Sequence, residues 1–386
     1  MTSLTPAEVR NRMVVHLGLA RWEGRGKRAA LKVLERLRCI QLDPLDVIGT
    51  NADLVMMARV DGAPRGAVWQ HLFPHHAFEH FAKERCILPA DAFPYYREHG
   101  HAAQTHWWRH SERQQRVAPA LVAAVLAEIQ ERGPVTAKDL TDHGAVKPMD
   151  WSGWTGTTKA TTMALEILWT LCDIVVCGRT ESGAKVYDIP ERSLGAIAKA
   201  KPRESFDRWA LRERVTAAGL LSRAGNATWS MLGPVRTSPL LDEMVQEGDL
   251  VDVTIEGTSR RYLATPAFLK RRSVRYDDEV RILGPLDPLL WDRDLVRIAF
   301  GFDYVWEVYK PAHQRKWGWY VCPLLHRDQL VGRVDARIEG QRLVVRKLWI
   351  EADVDESMLR DALERHAKAC GAEGLRKWGS RAVIRK

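Results

Sequence analysis

The sequence predicts an α+β fold made of three tandem winged-helix (helix-turn-helix) units and a C-terminal antiparallel β-barrel. A pattern of helices followed by short strands occurs three times along the chain. The segments between residues 305 and 349 then alternate apolar and polar side chains, as strands with one buried face do. The chain has 386 residues, which exceeds one ordinary hydrophobic core, so several domains are expected.

The first unit, residues 1–115, opens with two helices. The run Thr5-Pro6-Ala7-Glu8 has the spacing of a capping box with proline in the first turn, which marks the start of a helix. A second helix is predicted over 28–37, a short strand follows it, and a third helical pattern begins at residue 52. This order is that of a winged helix. Residues 74–96 add an extension that is rich in aromatic side chains and histidine.

The second and third units, residues 116–200 and 201–270, repeat the scheme. A long helix over 102–132, with Trp107 and Trp108 in a core, leads to a helix over 159–171 and to strands at 174–177 and 184–187. The third unit has helices at 209–218 and 235–247 and strands at 250–255 and 260–264. The last part, residues 271–386, is predicted as a small antiparallel sheet or barrel closed by a helix over 357–370.

The composition limits the classes of function. The net charge is +9 and the sequence pI about 9.3, which favours a polyanionic partner. No apolar run approaches the roughly 20 residues of a membrane span, and the N-terminus has neither signal- nor transit-peptide character. Six cysteines are dispersed without CxxC pairing, so we expect reduced thiols, a cytoplasmic location and no structural zinc.

The best candidate for a reactive centre is the segment Cys39–Leu45, which is too apolar for an ordinary loop. Gln41 and Asp43 lie two positions apart, so an extended backbone would project both side chains to one side, with Ile40 and Leu42 buried behind them. A carboxamide donates and accepts hydrogen bonds, and a carboxylate can polarise a water molecule. Taken alone, such a pair is more often a turn or cap.

A histidine cluster gives a weaker signal. His76 and His80 have the i, i+4 spacing of metal ligands on a helix, and His75 is adjacent. No cysteine or third histidine follows at ligand spacing, so metal binding is disfavoured. Packing and hydrogen bonding near a cleft are the expected roles.

Several motifs together resemble one known family. They are the Gln-Leu-Asp-Pro-Leu run at 41–45, Asp53-Leu54 and Arg59, Tyr187-Asp188-Ile189-Pro190, FDYVWEVYKP at 302–311, RKWGWYVCPLL at 315–325, and VGRVD at 331–335. In these motifs and their order, the chain resembles the winged-helix DNA glycosylases of the AlkZ/YcaQ type. These enzymes unhook interstrand crosslinks and remove bulky N7-alkylated purines.

The resemblance implies a C-shaped arrangement of the units and the barrel around a DNA-binding cleft. It also implies a monofunctional, monomeric glycosylase without cofactor or metal, acting on duplex DNA with alkylated or crosslinked purines. Gln41 and Asp43 match the family's catalytic pair, with Gln41 positioning water and Asp43 acting as base or oxocarbenium stabiliser. The self-resistance branch has Gln in place of this Asp, so the chain resembles the broader-acting branch. Many relatives have a histidine shortly after the motif, where this chain has Asn51 and Ala52.

DNA binding is expected to depend on basic side chains that contact phosphates. Arg179 and Lys185 flank the second wing, and the basic residues beside Trp317 are expected at a hairpin tip, where the aromatic ring would enter a minor groove or stack. The full set of expected DNA contacts is Arg25, Lys27, Arg28, Arg59, Arg179, Lys185, His313, Arg315, Lys316 and Trp317.

A different class of function remains open from the sequence, namely a non-catalytic winged-helix transcriptional regulator. Such regulators are usually dimers that read two half-sites. Three units and a barrel in one chain fit a monomeric clamp better, so the enzyme is the preferred hypothesis.

Overall fold

In a computed structural model of the chain, the first helix, Pro6–His16, begins at the predicted capping box. Glu8 N–H donates to Thr5 Oγ1 (3.1 Å), and Thr5 N–H donates to the Glu8 carboxylate (2.8 Å). A second box at Thr50 and Asp53 starts the helix Asn51–Met57. The structure describes residues 2–102, 110–148, 156–271, 274–376 and 382–385. The predicted core residues Trp107 and Trp108 lie outside these ranges.

The described helices agree with most of the predicted helical segments. Two of the long predicted helices are interrupted in the structure. The helix predicted over 102–132 is broken before Pro119, and the helix predicted over 235–247 is broken at Pro239. Proline breaks a helix because it lacks an N–H and clashes with the preceding turn. The helices are Pro6–His16, Gly26–Leu37, Asn51–Met57, Ala67–Leu72, Phe93–Ala102, His110–Gln114, Pro119–Arg132, Ala160–Thr170, Pro190–Leu194, Phe206–Ala218, Gly233–Arg236, Leu240–Gln246, Pro266–Leu269, Arg293–Phe300 and Glu356–Ala369.

Within the described residues the chain forms two compact units. The first contains residues 2–71, 81–86 and those from 210 onward, and the second contains 72–80 and 87–209. The boundaries predicted from the sequence for the three winged-helix units and the C-terminal barrel stay a prediction.

One sheet of the first unit joins the N-terminus to the predicted third hairpin. Val251–Ile255 and Arg261–Ala264 pair antiparallel, as predicted, around a turn in which Gly257 has a φ of 78°. Leu221–Ser222 extends one edge of this sheet, and Thr2–Leu4 pairs in parallel with Val251–Ile255 at the other.

The C-terminal sheet is an open, curled half-barrel. Three long strands pair antiparallel in sequence, Val321–His326, Gln329–Glu339 and Arg342–Ile350, with Val280–Ile282 at one edge. Of the two predicted forms, a small antiparallel sheet or a barrel, the structure differs from an antiparallel barrel in two respects. Among the described strands the two edges do not pair with each other, and the last two strands run parallel to Arg342–Ile350. These last two are Gly374–Arg376 and Val383–Arg385.

The core of this sheet also anchors the segment that follows the Gln-Leu-Asp motif. Ile48 and Leu54 are buried in the same cluster as the inner face of the sheet and the helix Glu356–Ala369, and Leu45 and Val47 pack against it. The Ile48 carbonyl lies 2.6 Å from His366 Nε2. Burial of these apolar side chains, at about 25 cal/mol per Å² of area removed from water, holds the N-terminal segment on the sheet.

The second compact unit, residues 72–80 and 87–209, contains the hairpin that is predicted as a wing. The helix Ala160–Thr170 is followed by the antiparallel strands Val175–Arg179 and Lys185–Asp188, and Val135–Thr136 adds a third strand. Further strands of the chain are Ile40–Gln41, Ala77–Phe81, Arg85–Pro89, Ala145–Val146 and Thr158–Lys159. Over the described ranges, every helix is too short or too polar to cross a bilayer.

Candidate active site

The Gln-Leu-Asp segment follows an abrupt helix end. The helix Gly26–Leu37 stops at Arg38, which has the left-handed φ of 58° and donates its N–H to the Leu34 carbonyl. The two-residue strand Ile40–Gln41 comes next, and Leu42 N–H donates to the Arg85 carbonyl at 2.8 Å. The strand therefore ends at Gln41, before Asp43.

Gln41 is held at both its main chain and its side chain. Its carbonyl accepts a hydrogen bond from Asn51 Nδ2 (2.8 Å), and its Oε1 accepts one from Lys83 Nζ (3.1 Å). Only 8% of Gln41 is exposed, and Asn51 and Ala52 are fully buried. The Asn51 side chain therefore fixes the backbone of Gln41.

Asp43 lies where the segment turns onto the C-terminal sheet. Its Oδ1 accepts the N–H of Leu45 at 2.9 Å, and burial raises the pKa of the Asp43 carboxyl above its usual value of 3.8. Burial, followed by the charges of Cys322 and Asp43, also raises the pKa of Tyr320. Tyr320 is therefore a neutral phenol in the electrostatic field of Asp43.

The predicted alternation along the segment is found in part. Ile40 is fully buried as expected, and Leu42 and Asp43 are half-buried. Gln41 is more buried than predicted because Lys83 contacts its carboxamide. Since the strand does not extend to Asp43, the projection of Gln41 and Asp43 to one side stays a prediction.

Lys83 is a polar residue of this site that the sequence analysis missed. It lies in the tight turn between Phe81 and Arg85 and is 7% exposed, and its Nζ is 5.3 Å from the centre of the Trp291 ring. Burial lowers the pKa of its amine. The one sequence feature that could have pointed to Lys83 is its place in a tight turn between two apolar runs. That feature does not indicate a contact with Gln41.

The start of the helix Gly26–Leu37 presents three of the expected DNA contacts. Arg25, Lys27 and Arg28 are exposed, the first turn contains no acidic residue, and no side chain caps it. Arg25 Nε donates to Asp61 at 2.6 Å. The unpaired N–H groups and the positive end of the helix dipole attract anions, so this surface suits a phosphate.

Arg59 is expected from the sequence to contact DNA, but the structure places it in the core. Its side chain and that of Asp287 are fully buried, and two hydrogen bonds of 2.7 and 3.0 Å join them. Arg59 Nε also donates to the Leu17 carbonyl at 2.7 Å. A guanidinium this far inside the core does not reach a phosphate, so Arg59 stabilises the fold.

Arg179 and Lys185 face each other across the hairpin of the second unit. Arg179 forms an ion pair with the buried Glu79, and Lys185 Nζ lies 3.4 Å from Glu166 Oε1. Both cations therefore have acidic partners inside their own unit. Their contact with DNA stays a prediction.

His313, Arg315, Lys316 and Trp317 lie in the connection between the helix Arg293–Phe300 and the strand Val321–His326, so the expected hairpin tip is wrong. His313 and Lys316 are exposed and Arg315 is half-buried. These residues form part of a long irregular segment.

The buried carboxylate of Glu307 organises this segment. Oε2 accepts the N–H groups of Trp317 (2.7 Å) and Gly318 (3.3 Å), and Oε1 accepts Lys316 N–H (3.1 Å) and Lys310 Nζ (2.9 Å). Although burial opposes it, these donors hold the pKa of Glu307 at about 2. The folded segment therefore depends on an ionised glutamate.

Trp317 is buried and not available for a groove. It is 7% exposed, the Arg333 guanidinium lies 3.8 Å from its ring centre, and Trp349 packs edge-on at 5.5 Å. The expected insertion of Trp317 is corrected for this reason. The exposed aromatic side chain of the segment is Tyr309, at 86%.

The histidine-rich extension is used in packing. His80 lies in the strand Ala77–Phe81, so the helical spacing considered for a metal does not apply. Its ring stacks on Trp169 with centres 5.0 Å apart, and its Nε2 is 3.1 Å from the Thr170 carbonyl. His75 Nδ1 lies 2.8 Å from the Ser193 carbonyl.

Comparison with known proteins gives two findings. The family model described as DNA glycosylase AlkZ-like matches residues 34–372, a range that includes the Gln-Leu-Asp segment. Among solved structures, the DNA glycosylase AlkZ of Streptomyces sahachiroi has a similar fold, with a TM-score of 0.59 and 16% sequence identity over the whole of both chains. At this identity the structural match speaks for the fold alone.

Proposed function

The chain belongs to the AlkZ-like DNA glycosylase family, and we propose that it hydrolyses the N-glycosidic bond of bulky N7-alkylated purines and unhooks interstrand crosslinks during DNA repair. The main support is that the family match includes a segment in which a carboxamide and a carboxylate interrupt an otherwise apolar run. Asn51 holds the main-chain carbonyl of Gln41 and Lys83 its carboxamide oxygen, and the carboxylate of Asp43 is partly desolvated. A non-catalytic regulator is not favoured by this family assignment.

The chemistry of the substrate sets what the site must supply. Alkylation at N7 places a positive charge on the purine and makes it a good leaving group, so a strong general acid is unnecessary. The remaining needs are to stabilise an oxocarbenium-like sugar and to deliver water to its anomeric carbon, as glycosidases do with carboxylates. A base tethered to the opposite strand is not fully extruded, unlike a flipped base.

Asp43 suits the carboxylate role and Gln41 the orientation of water. A general base contributes typically about 10²–10⁴-fold to a rate. The raised pKa of Asp43 makes its carboxylate a better proton acceptor than that of an exposed aspartate. No amine attack on the sugar is needed, so the reaction is hydrolytic and monofunctional.

DNA would be held through phosphates by Arg25, Lys27 and Arg28, each contributing about 0.9 to the slope of log affinity against log salt. The exposed Tyr309 takes the aromatic role first given to Trp317, and the exposed His313 and Lys316 and the half-buried Arg315 lie in the same segment. We further infer that the three helix-and-hairpin segments are winged helices and that the enzyme acts as a monomer in the cytoplasm. The concave cleft stays a prediction.

The test uses duplex DNA with a single N7-methylguanine or a nitrogen-mustard crosslink, in single-turnover reactions followed by alkaline cleavage of abasic sites. Gln41→Ala and Asp43→Asn should each slow release by about 10²–10⁴-fold, with DNA affinity within about threefold of the wild type. Asparagine keeps the acceptor for Leu45 N–H, so its effect reports the lost charge. Asp46→Asn is the matched control, because this exposed carboxylate is three residues away.

The proposal fails if the folded wild type yields no abasic product above the spontaneous rate. It also fails for these two residues if binding and cleavage fall together, which would mean that the pair is structural. An equal loss with Asp46→Asn would indicate that the segment is disturbed by any neutralised carboxylate.

A further inference from the structure

Lys83 is a buried amine beside the proposed water-positioning residue. The chain segment 81–86 belongs to the same compact unit as Gln41. Ala82 N–H donates to the Glu84 carbonyl at 2.8 Å, which closes the turn. This turn carries Lys83 Nζ to within 3.1 Å of Gln41 Oε1.

The surroundings of Lys83 leave few partners for its charge. Among the described residues, no carboxylate pairs with Nζ, and the Trp291 ring lies 5.3 Å away. Burial, chiefly, and then the charge of Arg214 lower the pKa of Lys83, whereas Cys39, Glu84 and Cys86 act in the opposite direction. The contact with the Gln41 carboxamide is therefore a principal polar interaction of this side chain.

We propose that Lys83 is a positioning residue of the glycosylase reaction, which fixes the Gln41 carboxamide by donating to its oxygen. This inference rests on the proposed function. Lysine has donors only, so the contact identifies the oxygen of Gln41 as the atom that faces Nζ. The amide nitrogen of Gln41 is then turned away from Lys83.

This orientation defines how a water molecule would be held. The Gln41 N–H group donates to one lone pair of the water, an O–H of the water donates to Asp43, and the second lone pair attacks the anomeric carbon. The C1′–N9 bond breaks, its electron pair leaves with the cationic purine, and the water proton passes to Asp43. Without Lys83, rotation of the carboxamide would exchange donor and acceptor, and the water would lose this arrangement.

A direct role of Lys83 on DNA fits the structure less well. The side chain is 7% exposed, whereas phosphate contacts need an accessible ammonium. Its donor is also directed to a protein acceptor 3.1 Å away. A role through Gln41 is therefore the inference that the contacts support.

The experiment is a double-mutant cycle with Lys83→Met and Gln41→Ala in the single-turnover assay. Lys83→Met keeps the apolar length and removes the donor. Loss of one hydrogen bond with a charged donor should slow release by about 10- to 100-fold, with DNA affinity within about threefold. In the Gln41→Ala background, Lys83→Met should cost less than about threefold, because the group it positions is absent. Lys32→Met, at an exposed position, is the matched control and should not change the rate.

The outcomes separate this inference from the proposed function. An inactive wild type overturns both. An active wild type with a slow Gln41→Ala and an unchanged Lys83→Met overturns the inference alone. Equal effects of Lys83→Met in both backgrounds overturn it too, as does trapping of Lys83 on abasic DNA by borohydride, which would make it a nucleophile. Circular dichroism and the unfolding midpoint of each variant show whether the fold is kept.

Discussion

Asp287→Ala would remove the acidic partner of Arg59, whose side chain is fully buried. Arg59 donates to both oxygens of Asp287, to the Leu17 carbonyl and to the Val55 carbonyl (3.2 Å), and both charged side chains are fully buried. The substitution leaves a guanidinium in the core without a counter-charge. It also removes the acceptor of Leu289 N–H (3.0 Å).

The expected loss of stability is large. Removing one partner of a buried ion pair costs about 3–5 kcal/mol, and loss of the side-chain cap adds about 1 kcal/mol. We therefore expect the free energy of unfolding to fall by about 4–6 kcal/mol. The double variant Arg59→Met/Asp287→Leu should recover much of this, because two apolar side chains leave no buried charge.

The free energy of unfolding of each variant is measured by urea unfolding, followed by tryptophan fluorescence. Whether Arg59 contacts DNA is measured from the dependence of DNA affinity on salt concentration. Arg59→Met should leave the salt slope unchanged, whereas Arg28→Ala should reduce it by about 0.9. The interpretation of Arg59 as a core residue is refuted if Asp287→Ala costs under about 1 kcal/mol. It is refuted equally if Arg59→Met lowers the salt slope as Arg28→Ala does.

The shifted pKa values of two carboxylates, Asp43 and Glu307, give three further predictions. Burial raises the pKa of Asp43, so the single-turnover rate should fall with decreasing pH through a pKa above 3.8, and Asp43→Asn should abolish this limb. Because the pKa of Asp43 is higher in the folded than in the unfolded chain, its ionised carboxylate lowers the free energy of unfolding above the folded pKa, and this cost is absent below pH 3.8. Asp43→Asn should therefore raise the unfolding midpoint at pH 7. An unchanged midpoint would contradict this. The pKa of Glu307 is lowered from 4.5 to about 2, so its contribution is present above pH 4.5 and lost as the pH falls towards 2. Glu307→Gln should cost about 2 kcal/mol at pH 7 and little near pH 2, measured by urea unfolding at both; equal costs would show that the charge is not responsible.

Local chemistry explains which parts of the fold the sequence predicts. Thr5 and Glu8 are three residues apart and cap the helix that they begin, so the signal and the contact lie in one turn. The turn around Gly257 joins two strands that pair with each other. Such elements need no information from distant segments.

Contacts between distant segments explain the errors. Arg59 is buried because Asp287, 228 positions away, neutralises it, and Trp317 is buried because Arg333 covers its ring. A basic or aromatic residue in a polar run has the same local pattern whether its partner is a phosphate or a remote side chain. The open C-terminal sheet has the same cause, since strand alternation does not show whether the two edges meet.

The arrangement at Gln41 also has an electrostatic consequence for a cationic substrate. An N7-alkylated purine and an oxocarbenium-like sugar are both positive, so an exposed ammonium at the reaction centre would oppose the transition state. Lys83 lies behind the carboxamide of Gln41 and is 7% exposed. In the proposed reaction, the neutral amide would then face the sugar with its orientation fixed by Lys83. In the same proposal, Asp43 would add the negative charge that stabilises the developing cation. In this proposal, the carboxamide between Lys83 and the substrate would keep the orienting effect of the cation and reduce its repulsion of the sugar.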